Sequence, residues 1–423
     1  MGSAFLLLAG GIHGLLLPVR GAMEGFSVTE LGLIGTGWAV GFVAGCVLVP
    51  GIVRRVGHIR SYSVMASVAA VTILLNLLIV SPFAWIALRA LSGFCFAGAY
   101  MIVESWLNER ATRQNRGTIF AIYQIINFVG ITGGQLSLTL GDPSGPVFFA
   151  LGAIFYCLAI LPTALTRAES PRPLKTTQLH LRALFATSPV AAVGCFLIGN
   201  VNGAFGTLGP VYGQQIGLST ADIALLMAGS ILGGALSQFP VGRLSDRMDR
   251  RQVVVAGALC AAATAMLLAL LHPRAPMTVI GLGLLFGAMI YPMYALAVAH
   301  ANDYAAPDEF VQIASGLLLL YGAGTMSGPV LGALAMEFFS PEGLFVFCAL
   351  IDVLLALYAV DRMRRRAPPD AALRETFQGM PPPRTLTPES VVLDPRAPED
   401  DAEAPENPPE AEAEPVPETA EAR

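Results

Sequence analysis

Long apolar segments recur along almost the whole of this chain, and they constrain its fold more than any other feature. Crossing the ~30 Å hydrocarbon core of a bilayer takes about 20 apolar residues of helix, and a backbone in lipid must satisfy its own hydrogen bonds. The composition agrees, since 54% of the residues are hydrophobic and only 13% are charged, against about a quarter charged in soluble domains. We predict an all-α membrane protein with twelve transmembrane helices, at 3–21, 29–50, 61–80, 83–107, 117–140, 146–165, 189–212, 220–241, 252–271, 277–301, 311–336 and 343–361.

The basic residues give these spans an orientation, because cytoplasmic loops are enriched in Lys and Arg. Of the 25 Lys and Arg, eighteen lie in alternate loops or directly after the last span, and only two lie in the other loops. Four more follow in the C-terminal tail, and Arg89 lies inside a span. This alternation predicts a multi-pass protein of the cytoplasmic (inner) membrane with both termini in the cytoplasm. The first apolar run is interpreted as a span, because no basic stretch precedes it as in a signal peptide.

The end of the chain has a different composition. Residues 367–423 contain fourteen Asp and Glu against four Arg, mixed with Pro and Ala. Such a segment buries too little apolar surface to offset its ordering entropy. We predict a disordered acidic cytoplasmic tail over 367–423, preceded by an N-terminal six-helix bundle (1–165), a cytoplasmic linker (166–187) and a C-terminal six-helix bundle (188–366).

The division into two bundles follows from an internal repeat. Pairs of glycines four residues apart in spans 2 and 5 return 192 to 194 residues later in spans 8 and 11. This spacing places small residues on one helix face and lets two backbones approach closely. In transporters built from two repeats, the substrate site lies at the interface between them. The paired glycines are Gly37, Gly41, Gly130, Gly134, Gly229, Gly233, Gly324 and Gly328.

A more specific signature lies in the loop after span 8. The stretch from Gly242 to Arg251, GRLSDRMDRR, resembles the GxxxDRxGRR loop signature of the major facilitator superfamily, with Asp249 in place of the second glycine. The resemblance covers residues 1 to about 366 and implies two pseudo-symmetric six-helix bundles that rock about a central site. It also implies that the glycine-bearing spans form the sliding seam between the bundles, with ordinary close packing of helices as the alternative.

The same resemblance implies a gate formed by charges at the cytoplasmic ends of the spans. A single exposed ion pair contributes only about 0–1 kcal/mol, so a gate needs a network of pairs. The alternative is that these charges are simply solvated in their loops. The candidate gate residues are Glu109, Arg116, Gly242, Asp246, Arg247, Arg250, Arg251 and Asp303.

Polar side chains inside the spans are candidates for the substrate and proton pathway, since a charge at mid-helix costs roughly 2.5–3.5 kcal/mol. At 100° per residue, Arg89, Tyr100 and Glu104 share one face of span 4. A similar stripe lies on span 1, and further amide and hydroxyl groups lie on spans 5, 7 and 10. The pathway candidates are Arg89, Glu104, His13, Arg20, Glu24, Tyr100, Asn127, Gln135, Asn200 and Tyr291.

Structural alternatives exist for several of these candidates. Arg20 and Glu24 are spaced to pair with each other at the outer face, Glu104 is placed to cap the cytoplasmic end of its helix, and the amides can bond to a neighbouring helix. Asp352, in span 12, has no explanation beyond a partner in an adjacent span.

The motifs that are missing limit the function. The six cysteines have no metal-binding spacing, no nucleotide-binding GxxxxGK[ST] loop occurs, and no HExxH or GxSxG motif is present. We expect no cofactor, no metal, no nucleic-acid partner and no enzymatic activity. The sequence predicts a monomeric secondary active transporter of a small organic solute that works by alternating access, coupled to protons. The alternative is a non-transporting membrane sensor or scaffold that acts through its tail.

Overall fold

The computed structural model describes residues 2–112, 114–165, 184–185, 187–305, 309–367, 376–380 and 385–396. Regular structure in these ranges is helical, and twelve segments are long and apolar enough to cross a membrane. The predicted fold class is therefore confirmed. The helices are α1 (Gly2–Met23), α2 (Val28–Val56), α3 (His58–Leu78), α4 (Pro82–Arg110), α5 (Arg116–Ser137), α6 (Val147–Ala164), α7 (Pro189–Gln215), α8 (Thr220–Arg247), α9 (Arg250–Leu271), α10 (Pro276–Ile290), α11 (Pro292–Asn302), α12 (Phe310–Phe338), α13 (Gly343–Arg365) and α14 (Pro388–Leu393).

The tenth span is broken into α10 and α11. Pro292 follows the break and has no N–H to donate, so the helical hydrogen-bond ladder is interrupted there. Tyr291, between the two helices, is the last residue before the new start. The apolar run predicts one continuous span because hydropathy does not register a proline break.

Several helices continue past their apolar runs at the ends that bear arginine. The second span was predicted to stop at residue 50, whereas α2 reaches Val56. The eighth was predicted to stop at 241, whereas α8 reaches Arg247. Arg and Leu are good helix formers, so the helix persists after the chain has left the apolar region. Gly57 ends α2 with a φ of 84°, a conformation that glycine adopts without strain.

The internal repeat extends to the turns before α2 and α8. Each helix follows a glycine with positive φ, Gly25 at 80° and Gly217 at 85°. Each then begins with a serine N-cap in a capping box, in which Ser27 accepts a 3.2 Å hydrogen bond from the N–H of Glu30, and Ser219 has the same role 192 residues later. The two turns therefore have the same local chemistry.

The repeated glycines pack helices of one half against each other. We define α1–α6 as the N-terminal half and α7–α13 as the C-terminal half; most of the predicted linker 166–187 lies outside the described residues. A Cβ on Gly41 would lie 1.8 Å from the carbonyl oxygen of Ala90 on α4, and one on Gly233 would lie 2.2 Å from that of Leu284 on α10. The predicted role of these glycines as sliding surfaces between the halves is therefore corrected to close packing within each half.

The outer surface of the bundle is apolar. Large side chains such as Leu236 and Phe239 on α8 are about two-thirds exposed, at 65% and 64%, while polar residues such as Asn76 and Ser92 are buried. A protein in water buries its apolar side chains, so this inverted arrangement fits a lipid environment.

At one end of the bundle the halves are in direct contact. The N–H of Thr29 donates a 3.0 Å hydrogen bond to Glu337 on α12, and the hydroxyl of Thr36 donates a 2.7 Å bond to the carbonyl of Met326. A Cβ on Gly32 would lie 2.6 Å from the carbonyl oxygen of Pro329. We call this end, where α2 begins and α12 finishes, the closed end, and the opposite end, where α2, α4 and α8 finish, the arginine-rich end.

The C-terminal tail enters the bundle at the arginine-rich end. Segments 376–380 and 385–396, which include α14, pack between the halves, and Met380, Leu386 and Leu393 are buried. The prediction of a disordered tail is corrected for these two segments; the remainder of 368–423 lies outside the described residues. The composition of the tail does not reveal this packing, because its few apolar residues are matched by a cleft that only the folded bundle provides.

Candidate functional site

A cavity lies between the two halves and is lined by residues from both. Its volume is about 1090 Å³ including its mouth. The N-terminal half contributes polar groups from α4 and α5, the C-terminal half contributes two tyrosines and a threonine, and the tail contributes a second threonine. These polar lining residues are Arg89, Tyr100, Gln135, Thr207, Tyr291, Tyr321 and Thr385.

Arg89 is the charged group of this cavity, and a neighbouring aromatic ring holds it in place. Its side chain is buried, and its guanidinium carbon lies 5.9 Å from the centre of the Trp38 ring, within range of a cation–π interaction. Gly93, one turn along α4, permits this arrangement, since a Cβ there would lie 2.2 Å from the carbonyl oxygen of Trp38. The Arg-x-x-x-Gly spacing therefore brings α2 against α4 beside the arginine. Sequence reasoning missed Trp38, although Gly93 was a signal for a close helix neighbour.

Three further predicted pathway residues lie in the same cavity. Tyr100 is buried with its ring 5.7 Å from that of Phe96. Gln135 lines the cavity, and its side-chain oxygen is buried without a hydrogen-bond partner among the described residues. Tyr291 reaches the cavity from the break between α10 and α11. An unsatisfied buried amide oxygen is a natural acceptor for a ligand donor.

Glu104 lies on α4 closer to the arginine-rich end and does not line this cavity. Fifteen residues separate it from Arg89, which is about 22 Å along a helix. It is fully buried and accepts hydrogen bonds from the hydroxyls of Tyr123 at 2.9 Å, Ser390 at 2.6 Å and Thr387. Its described hydrogen bonds are thus all to neutral hydroxyls, two of them from the tail. Neither Tyr123 nor the tail was identified from the sequence.

The predicted stripe on α1 lies elsewhere. His13 is buried within the N-terminal half, where its ring nitrogens lie 3.2 Å from the Tyr156 hydroxyl and 3.4 Å from the Asn76 oxygen. Arg20 pairs with Glu24 at the closed end and also donates to the Ser144 carbonyl. The prediction that these three residues share the cavity with Arg89 is corrected, because α1 turns that face toward α3 and α6.

Two predicted amides form hydrogen bonds within or between helices. Asn127 donates a 2.9 Å bond to the carbonyl of Tyr123 on its own helix. Asn200 on α7 accepts a 3.0 Å bond from Ser327 on α12. Neither is among the residues that line the cavity. Asp352 on α13 is buried, and its Oδ2 has no hydrogen-bond partner in the described part of the chain, so the expected partner in an adjacent span is not found there.

Three candidate gate residues of the C-terminal half, Asp246, Arg250 and Asp303, form a cluster around the buried guanidinium of Arg250. Arg250 donates to Asp303 at 2.8 Å and to Asp246 at 3.3 Å. Burial alone would raise the pKa of Asp249, but hydrogen bonds from Arg251, the shortest 2.7 Å, hold that pKa below its usual value. These pairs connect α8, α9 and the loop after α11 within one half.

The other gate candidates are at the ends of their helices or under the tail. Glu109 is exposed at the end of α4, Arg116 begins α5, and Arg247 is exposed at the end of α8. Gly242 lies under the ring of Phe377 in the tail, where a Cβ would be 2.3 Å from that ring. The ion pairs given above lie within the C-terminal half, and the tail contacts both halves; a charge network between the halves stays a prediction. Among the described residues, no group of three or more His, Cys, Asp or Glu could hold a metal ion.

Comparison with known proteins shows which family model, relatives and solved structures this chain resembles. The family model described as Major Facilitator Superfamily matches residues 1–228 and 191–398. YcaD of Escherichia fergusonii, an uncharacterized MFS-type transporter, is 27% identical over 372 residues, which make up 88% of this chain and 96% of that protein. YcaD of Shigella flexneri serotype 5b is 26% identical over 358 residues, 84% of this chain and 92% of its own length.

Solved structures show the same fold. The nucleoside transporter NupG superposes with a TM-score of 0.72 at 14% identity, covering 85% of this chain and 98% of its own. A bacterial homologue of the human lysosomal transporter Spinster, in an inward-facing and occupied conformation, superposes with a TM-score of 0.70 at 15% identity, covering 89% and 98%. At sequence identities of 14% and 15%, the structural similarity establishes the arrangement of the helices but not the substrate.

Proposed function

Since this chain belongs to the Major Facilitator Superfamily and is a secondary transporter, we propose that it moves a small organic solute with an anionic group across the cytoplasmic membrane by alternating access, coupled to protons. The excess of Lys and Arg on one side supports an orientation in which the arginine-rich end and both termini face the cytoplasm. The closed end then faces outward. The protein acts as a monomer, with the membrane lipid and the solute as its partners.

The observation that supports an anionic solute most directly is the position of Arg89. It lies buried in the cavity between the halves, among aromatic and aliphatic lining residues. Burying an arginine in such a place costs free energy. A guanidinium that binds a carboxylate or phosphate of the solute through two hydrogen bonds accounts for that cost. Tyr100 and Gln135 are placed to complete the contacts of that ligand from the same half.

Glu104 is the candidate for proton exchange. Its carboxyl is buried, and the described groups that bond to it are neutral hydroxyls rather than cations. A carboxyl within a transmembrane span that is not neutralised by a described cation is a candidate group for a proton relay. Because Glu104 and Arg89 lie on the same helix, a movement of α4 links the proton site to the substrate site.

Flux measurements on the full-length protein test this proposal. Small organic anions are first screened for those that raise the melting temperature of the purified protein. A solute identified in this way is expected to accumulate in proteoliposomes when a pH gradient is imposed and to leak out when a protonophore dissipates it. Equilibration without accumulation would contradict proton coupling. A solute that raises the melting temperature but never crosses the bilayer would instead favour the sensor function.

A further inference from the structure

The tail occupies a cleft that alternating access requires to close. The halves touch at the closed end, through Thr29 and Glu337 among others. At the arginine-rich end the tail lies between Gln124 of one half and Gln238 of the other. Rocking of the two repeats about a central site closes one end as the other opens. Any segment wedged between the halves at the arginine-rich end must leave before the closed end can open.

The first tail segment bonds to both halves through its backbone. Gln124 on α5 donates its side-chain amide to the carbonyl of Gly379, and Gln238 on α8 donates a 2.7 Å bond to the carbonyl of Met380. Two consecutive peptide groups of the tail are therefore hydrogen-bonded to side-chain amides, one from each half. A Cβ on Gly379 would lie 2.5 Å from the side-chain oxygen of Gln238, so a larger side chain there would displace the end of the Gln238 side chain that bonds to the tail.

The same segment engages the loop signature after span 8. The backbone N–H of Phe377 donates a 2.9 Å hydrogen bond to Asp246, and its ring covers Gly242. Gly242 and Asp246 were singled out as gate residues from the sequence. In this structure their described contacts across the cleft are to the tail.

The second tail segment, 385–396, packs against the N-terminal half and covers Glu104. Thr387 and Ser390, at the start of α14, both donate to Glu104, and Asn108 donates a 3.1 Å bond to the carbonyl of Glu389. Thr387 is fully buried, and Ser390 is 2% exposed. Two hydroxyls aimed at one buried carboxylate form a specific contact, since each hydrogen bond to a charged group is among the stronger ones in proteins.

The tail also reaches the substrate space and then crosses to the C-terminal half. Thr385 lines the cavity that contains Arg89. At the other end of the segment, the guanidinium of Arg396 lies 5.3 Å from the ring centre of Phe310 on α12. The tail therefore spans the cleft from one half to the other along the path that a solute would take.

From these contacts we propose that the tail segments 376–380 and 385–396 form an intramolecular inhibitor that fills the cleft at the arginine-rich end, bonds to Glu104 and holds the transporter in one conformation. The inference rests on the proposed function, in that it treats the cleft as one end of an alternating-access pathway. Because the segment is covalently tethered to α13, its local concentration at the cleft is high. It shifts the equilibrium toward the state with the arginine-rich end open, because only that state can bind it.

A distance measurement across the closed end tests the proposal without any solute. Spin labels are placed on Met23 and Phe339, both exposed near that end, in a full-length background without native cysteines. The parent should show one short distance. Thr387→Asp places a new carboxylate next to Glu104 and removes the hydroxyl that bonds to it. Because a hydrogen bond to a charged group is lost, we expect the ratio of open to closed molecules at the labelled end to rise about tenfold or more. Gly379→Leu, at the other tail segment, should shift the ratio in the same direction.

Ala367→Asp is the matched control, because Ala367 is an exposed residue of the same tail that precedes both packed segments, and the substitution introduces the same charge. It should keep the parent distance. Identical distances in all four proteins, or an equal shift in the control, would overturn the proposal. These substitutions lie outside the twelve spans, and the readout needs neither flux nor a pH gradient. Failure of the transport proposal would appear in the proteoliposome experiment and would leave this result unaffected.

Discussion

The hydroxyl of Ser390, in the C-terminal tail, donates a 2.6 Å hydrogen bond to the carboxylate of Glu104, 286 positions earlier on α4. This contact joins the candidate proton site of the transporter to a segment that composition alone describes as a solvated acidic tail. Under the two proposals above, the tail must leave Glu104 before that carboxyl can exchange a proton during transport. Substitutions can separate inhibition by the tail from substrate binding, because Thr387 and Ser390 of the tail are not among the residues that line the cavity.

Replacement of Arg89 should weaken substrate binding according to the charge that remains. Loss of a charge-assisted hydrogen bond removes about 1.5–3 kcal/mol, so Arg89→Ala should bind the anionic solute roughly 10–100-fold more weakly. Arg89→Lys should retain part of the affinity, because the charge is kept and the two-point geometry is lost. Titration calorimetry measures both. Arg54→Ala, at an exposed arginine, is the control, and normal binding by Arg89→Ala would remove the basis for placing the site in this cavity.

Replacement of Glu104 should separate exchange from accumulation. Glu104→Gln keeps the size and hydrogen-bonding capacity of the side chain but cannot exchange a proton. The variant should still exchange solute across proteoliposomes and should no longer accumulate it against a gradient. Asp361→Asn, which neutralises a carboxylate near the end of α13, should behave as wild type. If exchange and accumulation fell equally in Glu104→Gln, the role of Glu104 would be structural.

Asp249 should make stability depend on pH in the acid range. Its pKa is lowered in the folded protein by the hydrogen bonds from Arg251, so its contribution is fully present above the unfolded pKa of about 3.9 and is lost as pH falls through the folded pKa. Asp249→Asn should lower the melting temperature at pH 7, and the difference from wild type should shrink below about pH 4. A difference that persisted unchanged at low pH would show that the pair with Arg251 is not its source.

Asp246 should matter for conformational change more than for folding. It is part-exposed and contacts both Arg250, at 3.3 Å, and the tail backbone at Phe377. Asp246→Asn should change the free energy of unfolding by only about 0–1 kcal/mol while altering the rate of transport. Asp361→Asn, which removes an exposed pair with Arg365, should change neither. Wild-type turnover in Asp246→Asn would indicate that the loop signature has no gating role here.

The orientation predicted from the basic residues can be tested by chemical labelling. In a cysteine-free background, Asp142→Cys lies exposed in the loop between α5 and α6, on the side with few basic residues. It should react with an impermeant thiol reagent added to intact cells. Arg55→Cys, exposed at the opposite end, should react only after the cells are opened. Reversed labelling would contradict the proposed topology.

The sequence by itself determined the twelve spans, because span length and apolarity are imposed by the thickness of the bilayer and are properties of local segments. It also revealed the repeat, since equal spacing of glycines is visible in one dimension. The same signal was available in the capping boxes at Ser27 and Ser219. Arg89 was found for a related reason: a charge within an apolar run is conspicuous without any structure.

Only the tertiary structure decided which polar residues share a site. Arg89, Tyr100 and Gln135 face the cavity, whereas His13 is enclosed within the N-terminal half, because the rotation of each helix is set by its neighbours rather than by its own polar stripe. The place of the tail was decided in the same way. Thr387 and Ser390 acquire their partner only when α4 and α5 bring Glu104 to the wall of a cleft. A buried carboxylate and a matching pair of hydroxyls are far apart in the chain, and folding alone brings them within hydrogen-bonding distance.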